Sequence, residues 1–364
     1  MEGWYNMEHD ERMKKNLLVT LADKNYIEQA KQLFSSVYWN AGWKGDYMLL
    51  AHNVPENKLK WFGDKGILIK KCKPVFRGKR LGCWPITVSS KFYLFTQEFK
   101  KWKNIIYLDG DIIVRGSLDN LTKIKGLAVR NCDIFGKYFK KPESIMLDSR
   151  SARKNMELFN ELKKNYDFEW RGFSSGVMAF STDIIKRDTF SKLRKSLKLY
   201  NKVNIYGEQT IFNLFFYKKR ELLPLGFVYN YWDINYFMYS CNIKPEKIKG
   251  TILHFNSIGR PWLPQSPFYN EWKTNLNKAG LINLKNIPPA RENLTEEDIA
   301  KYFLGLKKAP IAGFFKKIVW KTSFFIREIL KFIDKNIGLI GIFLKKHHPR
   351  LYFRLKNLKK VFKK

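Results

Sequence analysis

Apolar and polar positions along the chain fall into short alternating blocks. Residues 16–22, "NLLVTLA", form an apolar run of strand length. Residues 26–40 then place Ile27, Ala30, Leu33, Phe34 and Val37 at helical spacing. Residues 47–52, "YMLLAH", and 66–72, "GILIKKC", read as two further strands. Residues 87–99 predict a helix with Val88, Phe92, Phe95 and Phe99 on one side, leading into "NIIYLDGDIIV" at 104–114. A strand at 175–181, helices from about Asp183 and Glu208, and a strand at 250–255 follow. Strands alternating with helices predict an α/β fold with a mostly parallel sheet. Ligands of such sheets gather at the carboxyl ends of strands, where "DGD" and His254 both fall. The prolines and polar residues of 286–298 mark a boundary. No internal repeat is visible. The organisation expected is a catalytic domain over 1–285, a linker over 286–312 and a tail over 313–364.

Composition adds a partner to this picture. A chain of 364 residues, 45% hydrophobic and 16% aromatic, can bury a large core and is not disordered. Its net charge of +35 calls for an anionic partner: a membrane surface, a nucleic acid or a phosphorylated ligand. Residues 307–364 carry 17 Lys and Arg against Glu328 and Asp334, so the tail is the densest positive region. Cys72, Cys83, Cys132 and Cys241 lie far apart with no C-x-x-C pair, which argues against a cysteine zinc site. The opening "MEGWYNMEHDERMKKN" lacks a basic start and an apolar core, so no signal peptide is expected. No apolar run is long enough for a transmembrane helix. A reducing, cytoplasmic setting is expected.

The stretch "YLDGDIIV" puts two aspartates between apolar runs. Buried carboxylates are costly unless paired, hydrogen-bonded or bound to metal. Asp-Gly between apolar runs is also a hairpin signature, and the local sequence leaves that reading open. A calcium hand does not fit, because Ile113 holds the third ligand position. A haloacid-dehalogenase-type phosphatase also uses D-x-D but needs a later acidic pair, and no "DD" occurs. As a metal clamp, Asp109 and Asp111 at i and i+2 on extended backbone point to one side. Gly110 between them admits a phosphate or ribose. Hard oxygen ligands suit Mg2+ or Mn2+. His254 is the candidate third ligand, and Arg260, six residues on in "HFNSIGRPW", can grip a phosphate.

Taken together, these residues resemble glycosyltransferase family 8, over about residues 16 to 275. "VTLADKNY" is similar to the family's first strand and uridine-binding loop, with Asp23, Asn25 and Tyr26 at nucleotide-contacting positions. Lys91 in "VSSKFYLF" matches the basic residue before the D-x-D strand. "FSSGVMAFS" resembles the family's F-N-S-G-V strand, with Ser174 where Asn is usual. "YGEQTIFN" resembles its D-Q motif, with Glu208 in place of Asp, followed by Gln209. "HFNSIGRPW" resembles H-x-x-G-x-x-K-P-W, with Ser257 in place of Gly and Arg260 in place of Lys.

The resemblance implies a GT-A-like nucleotide-sugar-binding fold with a mostly parallel central sheet. It implies a retaining hexosyltransferase using a UDP-sugar donor and a saccharide or glycolipid acceptor. Mn2+ or Mg2+ would sit on Asp109, Asp111 and His254. Asp23, Asn25, Tyr26, Lys91, Ser174, Ser257 and Arg260 would hold the donor, and Glu208 and Gln209, at its sugar, would be the catalytic residues. Front-face attack by the acceptor, with the departing phosphate as base, is expected over a covalent intermediate on Glu208.

The tail adds membrane contact. Over residues 313–333, Phe315, Ile318, Val319, Ile326, Ile329, Leu330 and Ile333 share one helical face, and the basic residues lie largely elsewhere. That is the pattern of a basic amphipathic helix lying in a membrane interface. A peripheral position on the inner face of the cell membrane is expected. No nucleic-acid motif supports specific RNA or DNA binding. The competing class is a non-catalytic basic adaptor that keeps the fold.

Overall fold

The computed structural model describes residues 14–131, 146–168, 170, 172–223, 226–256, 259–292, 297 and 301. Cys132, Ser257 and the whole basic tail lie outside the described residues. One compact unit runs to Ile234 and resumes at Pro245; it carries every residue of the fold and site described below, and Asn235–Lys244 belongs to a second unit.

The strands in chain order are β1 (Lys14–Ala22), β2 (Asp46–His52), β3 (Leu68–Cys72), β4 (Arg80–Leu81), β5 (Trp84–Pro85) and β6 (Trp102–Leu108). They continue as β7 (Ile112–Val114), β8 (Leu127–Asn131), β9 (Phe173–Ser181), β10 (Glu221–Leu222), β11 (Val228–Asn230) and β12 (Ile252–His254). Seven form the main sheet, in the order β10-β8-β9-β6-β1-β2-β3. Every neighbouring pair is parallel except the two made by β9, which runs against both β6 and β8. The expected mostly parallel α/β sheet is therefore present. A second sheet has the order β11-β12-β7, and β4 and β5 form a separate ribbon.

Apolar runs become strands here because both faces of the sheet are covered. Ile106 and Leu108 of β6 pack in one layer with Phe34 and Val37 of the helix Ile27–Ala41. Ile105 and Tyr107 face the other layer, with Phe92, Phe95 and Phe212. The alternation along one strand thus feeds two cores.

Two expectations change. The hairpin reading of "YLDGDIIV" fails: β6 pairs with β1 and β9, whereas β7 pairs with β12 of the second sheet. The helix expected over 87–99 is two tighter 3-10 segments, Ile86–Phe95 and Gln97–Lys101, split where Thr96 is extended. Ser89 Oγ donates to Ile86 O at 2.7 Å and Thr96 Oγ1 to Tyr93 O at 2.8 Å. These side chains bind the carbonyls three residues back and favour the tighter turn.

Beyond the helix Tyr269–Lys278, residues 286–292 run back over the helix Ile27–Ala41. Tyr38 OH donates to Asn286 O at 2.5 Å, and Arg291 N donates to Asn40 O at 2.9 Å. No helix among the described residues is long and apolar enough to cross a membrane.

Candidate active site

The carboxyl ends of β6 and β12, the start of β9 and one helix N-terminus meet around a cavity of about 390 Å³. Asp109 follows β6 directly, and its N–H donates to Gly176 O of β9 at 2.8 Å. Asp111 precedes β7, and its carbonyl accepts from Phe255 N at 3.1 Å. His254 ends β12, opposite Ile112. Asp109, Asp111 and His254 offer ligand atoms that all lie within 4.8 Å of one another. Nε2 of His254 stands 3.4 Å from Asp111 Oδ1 and 3.8 Å from Asp109 Oδ2.

The imidazole is held from behind. Asn230 Nδ2 donates to Asn131 O at 3.3 Å, which turns Asn230 Oδ1 toward His254 Nδ1, also at 3.3 Å. That contact fixes the ring's orientation and leaves Nε2 turned toward the two carboxylates. Asn230 is itself seated by Asp233, whose Oδ2 accepts from Asn230 N at 2.9 Å and from buried Arg130 at 3.2 Å.

Gly176 shows how closely this cluster is built. A Cβ there would overlap His254 Cε1 and lie 2.6 Å from Nε2 and 2.8 Å from Asp109 Oδ2. Two carboxylates, one imidazole and this cradle fit a hard divalent cation such as Mn2+ or Mg2+.

Lys91 joins the cluster to the rest of the cavity. It is 3% exposed and lies 2.9 Å from Asp109 Oδ1 and 2.7 Å from Glu208 Oε1. Burial alone would depress the ammonium, but the two carboxylates outweigh it and hold the group above its ordinary value. Burial pushes the Glu208 carboxyl up, opposed by Lys91. Tyr107 OH donates to Asp109 Oδ1 at 2.6 Å. Burial, with Asp109 adding to it, pushes that phenol well above its usual range.

Glu208 and Gln209 open the helix Glu208–Phe215. Ser175 Oγ donates to Glu208 Oε1 at 2.8 Å, and Ser175 N donates to Gln209 Oε1 at 3.0 Å. Ser175 can reach both because the β8–β9 register jumps from Val129↔Met178 to Arg130↔Ser174, freeing residues 175–177 from the ladder with β8. Buried Ser174 lines the cavity beside them.

At the other end, Asp23 and Tyr26 line the cavity. Asp23 Oδ1 accepts from Asn25 N at 2.9 Å and its Oδ2 from Thr87 Oγ1 at 3.3 Å. The Asn25 side chain is exposed and not part of the lining. Arg260 is also exposed outside the lining, and Ser257 lies outside the described residues. The structure thus gathers Asp23, Tyr26, Lys91, Asp109, Asp111, Ser174, Glu208, Gln209 and His254 around one space. It adds Trp84, Met146, Tyr206 and Trp232, which sit on loops or short elements and give no periodic signal.

Residues 17–266 match the family profile described as "Glycosyl transferase family 8". The chain belongs to glycosyltransferase family 8. Among curated members, a lipopolysaccharide 1,2-glucosyltransferase of Escherichia coli is 24% identical over 229 residues, covering 60% of each chain. Glycosyltransferase GlyF of Streptococcus pneumoniae is 25% identical over 265 residues, covering 69% of this chain and 58% of that one. The chain therefore spans about three-fifths of the length of these relatives. A crystal structure of an active-site mutant of LgtC superposes with a TM-score of 0.57 at 16% identity, over 72% of this chain and 95% of that one. Galactosyltransferase LgtC in complex with donor and acceptor sugar analogues gives 0.53 at 18% identity, over 78% and 99%. These likenesses establish the GT-A-like fold.

Proposed function

We propose that this family 8 member is a retaining hexosyltransferase that moves a hexose from a UDP-sugar to a saccharide or glycolipid acceptor. The observation that carries the reading is the Asp109–Asp111–His254 cluster joined through Lys91 to Glu208 inside one cavity. Asp23 and Tyr26 are suited to the nucleotide end, and Ser174, Glu208 and Gln209 to the sugar end. Mn2+ or Mg2+ held by the three ligands would neutralise charge growing on the diphosphate as UDP leaves. Lys91 adds a fixed positive charge 2.9 Å from Asp109, where no solvent need reorganise.

The setting of Glu208 favours front-face attack by the acceptor. Its Oε1 already accepts from Lys91 and Ser175, and pairing with the Lys91 ammonium withdraws charge from the carboxylate and weakens it as a nucleophile. The names of the relatives, a lipopolysaccharide glucosyltransferase and a galactosyltransferase solved with acceptor analogues, support a sugar-bearing acceptor. The test is donor hydrolysis across UDP-glucose, UDP-galactose and their N-acetyl forms, with Mn2+ and with chelator. One donor should stand out and chelator should stop it; no hydrolysis of any UDP-sugar would sink the reading.

The basic tail belongs to the same proposal. Each basic residue near an anionic leaflet contributes ~1 kcal/mol, so residues 313–364 are suited to holding the enzyme at the membrane. Deleting them should release the protein from anionic vesicles at low salt while donor hydrolysis persists. Equal co-sedimentation of the full and shortened chains would count against membrane docking.

A further inference from the structure

We propose that the β4–β5 ribbon is a positioning clamp for Glu208 and Gln209, acting through the contact between Trp84 and Gly207. The proposal rests on the functional reading above for the roles of those two residues. Its geometry stands independently.

Gly207 sits directly before the helix that carries both residues, at φ 70° and ψ −142°. Side chains with a Cβ rarely adopt that conformation, so the turn has no local preference that would fix it. The ribbon supplies the restraint. A Cβ on Gly207 would lie 3.2 Å from Trp84 Cδ1, 3.3 Å from Val88 Cγ2 and 3.5 Å from Leu81 O.

The contact is reciprocal. Gly82, in the turn of the ribbon at φ 59°, faces Ile205; a Cβ there would overlap the Ile205 carbonyl oxygen and lie 2.6 Å from its carbon. Cys83 N donates to Ile205 O at 2.8 Å, so the hairpin's turn amide binds the 205–207 segment. Asn204 Nδ2 closes the turn on Gly207 O at 2.9 Å. The two segments therefore dock with a glycine of each against the other.

Trp84 gives this dock a use. It is half-buried, its Cδ1 would stand 3.2 Å from a Cβ added at Gly207, and it also lines the cavity. One side chain spans the ligand space and the hinge that aims Glu208 and Gln209. A substrate that packs against Trp84 presses the turn into the conformation that points both residues at the sugar. Trp84 is thus a positioning residue, and the discrete contact, rather than mere nearness, carries the coupling.

The test uses the full chain with Trp84→Ala, Trp84→Phe and Gly207→Ala. Four quantities are measured: kcat and KM for donor hydrolysis, UDP affinity with Mn2+ by calorimetry, and hydrogen exchange of peptides covering 80–86 and 204–214. Trp84→Ala should lower kcat by about 10- to 100-fold, the scale expected for misplaced reacting groups, with UDP affinity nearly unchanged. Exchange in both peptides should rise. Trp84→Phe should recover most of the kcat and the exchange protection. Gly207→Ala, which leaves the ribbon's sequence intact, should reproduce the loss of kcat and keeps the test open if Trp84→Ala fails to fold. A raised KM with unchanged kcat and unchanged exchange would make Trp84 only a wall of the cavity and overturn the clamp. Normal kcat in Gly207→Ala would overturn it too. A wild-type chain that hydrolyses no UDP-sugar would instead overturn the functional reading, and the exchange measurements would still decide the clamp.

Discussion

Asp111→Asn is expected to lower metal-dependent turnover by about 10²- to 10³-fold, the usual cost of removing one group that stabilises developing charge. Asp111 is 4% exposed, and its Oδ1 is the carboxylate oxygen closest to His254 Nε2, at 3.4 Å. Asparagine keeps the shape but loses the charge and one acceptor. The fold should survive, because the backbone carbonyl that accepts from Phe255 N does not depend on the side chain. The check is Mn2+-titrated donor hydrolysis beside circular dichroism. Full activity in the folded variant, or undiminished wild-type activity in chelator, would remove Asp111 from the ligand set.

Gly176→Ala is expected to be nearly as damaging, for a steric reason. The added methyl would lie 2.6 Å from His254 Nε2 and 2.8 Å from Asp109 Oδ2, inside the space the three ligands face. Backbone strain is not involved, since Gly176 is not among the positive-φ glycines. Overpacking a tight site costs about 1–3 kcal/mol, so the melting temperature should fall modestly. Mn2+ affinity should fall by about 10- to 100-fold, as when the support of a metal ligand is lost. Calorimetric titration with Mn2+ alone tests this without turnover. Wild-type affinity in the alanine variant would show that these side chains do not share one ion.

The sequence made five of the main sheet's seven strands legible because their apolar runs are short and bounded, as at 16–22 and 47–52; β8 and the two-residue β10 were not read. It did not show which strands pair. "DGD" looks like a hairpin locally, and only the pairing of β7 with β12, some 140 residues later, decides otherwise. Phe92, Phe95 and Phe99 were readable as one buried face. Their helix type was not, because residues three apart share a side in both a 3-10 and an α-helix. Asp109, Asp111, His254 and Lys91 were legible through their resemblance to the family's motifs. Asn230 and Trp84 were not: each matters through a neighbour that is distant in sequence, and single residues on short elements leave no pattern.

The fastening of residues 286–292 decides where the chain can be trimmed. Ending it at 285 would remove the acceptor for Tyr38 OH and the donor that satisfies Asn40 O near the helix end. Each of these hydrogen bonds is worth about 0.5–1.5 kcal/mol net of its replacement by water. Tyr38 and Ala41, now 3% and 1% exposed, would also lose cover. A catalytic fragment made for crystallisation should therefore retain Arg291, and nested deletions that stop short of it should give poorly soluble protein even though every proposed site residue is present.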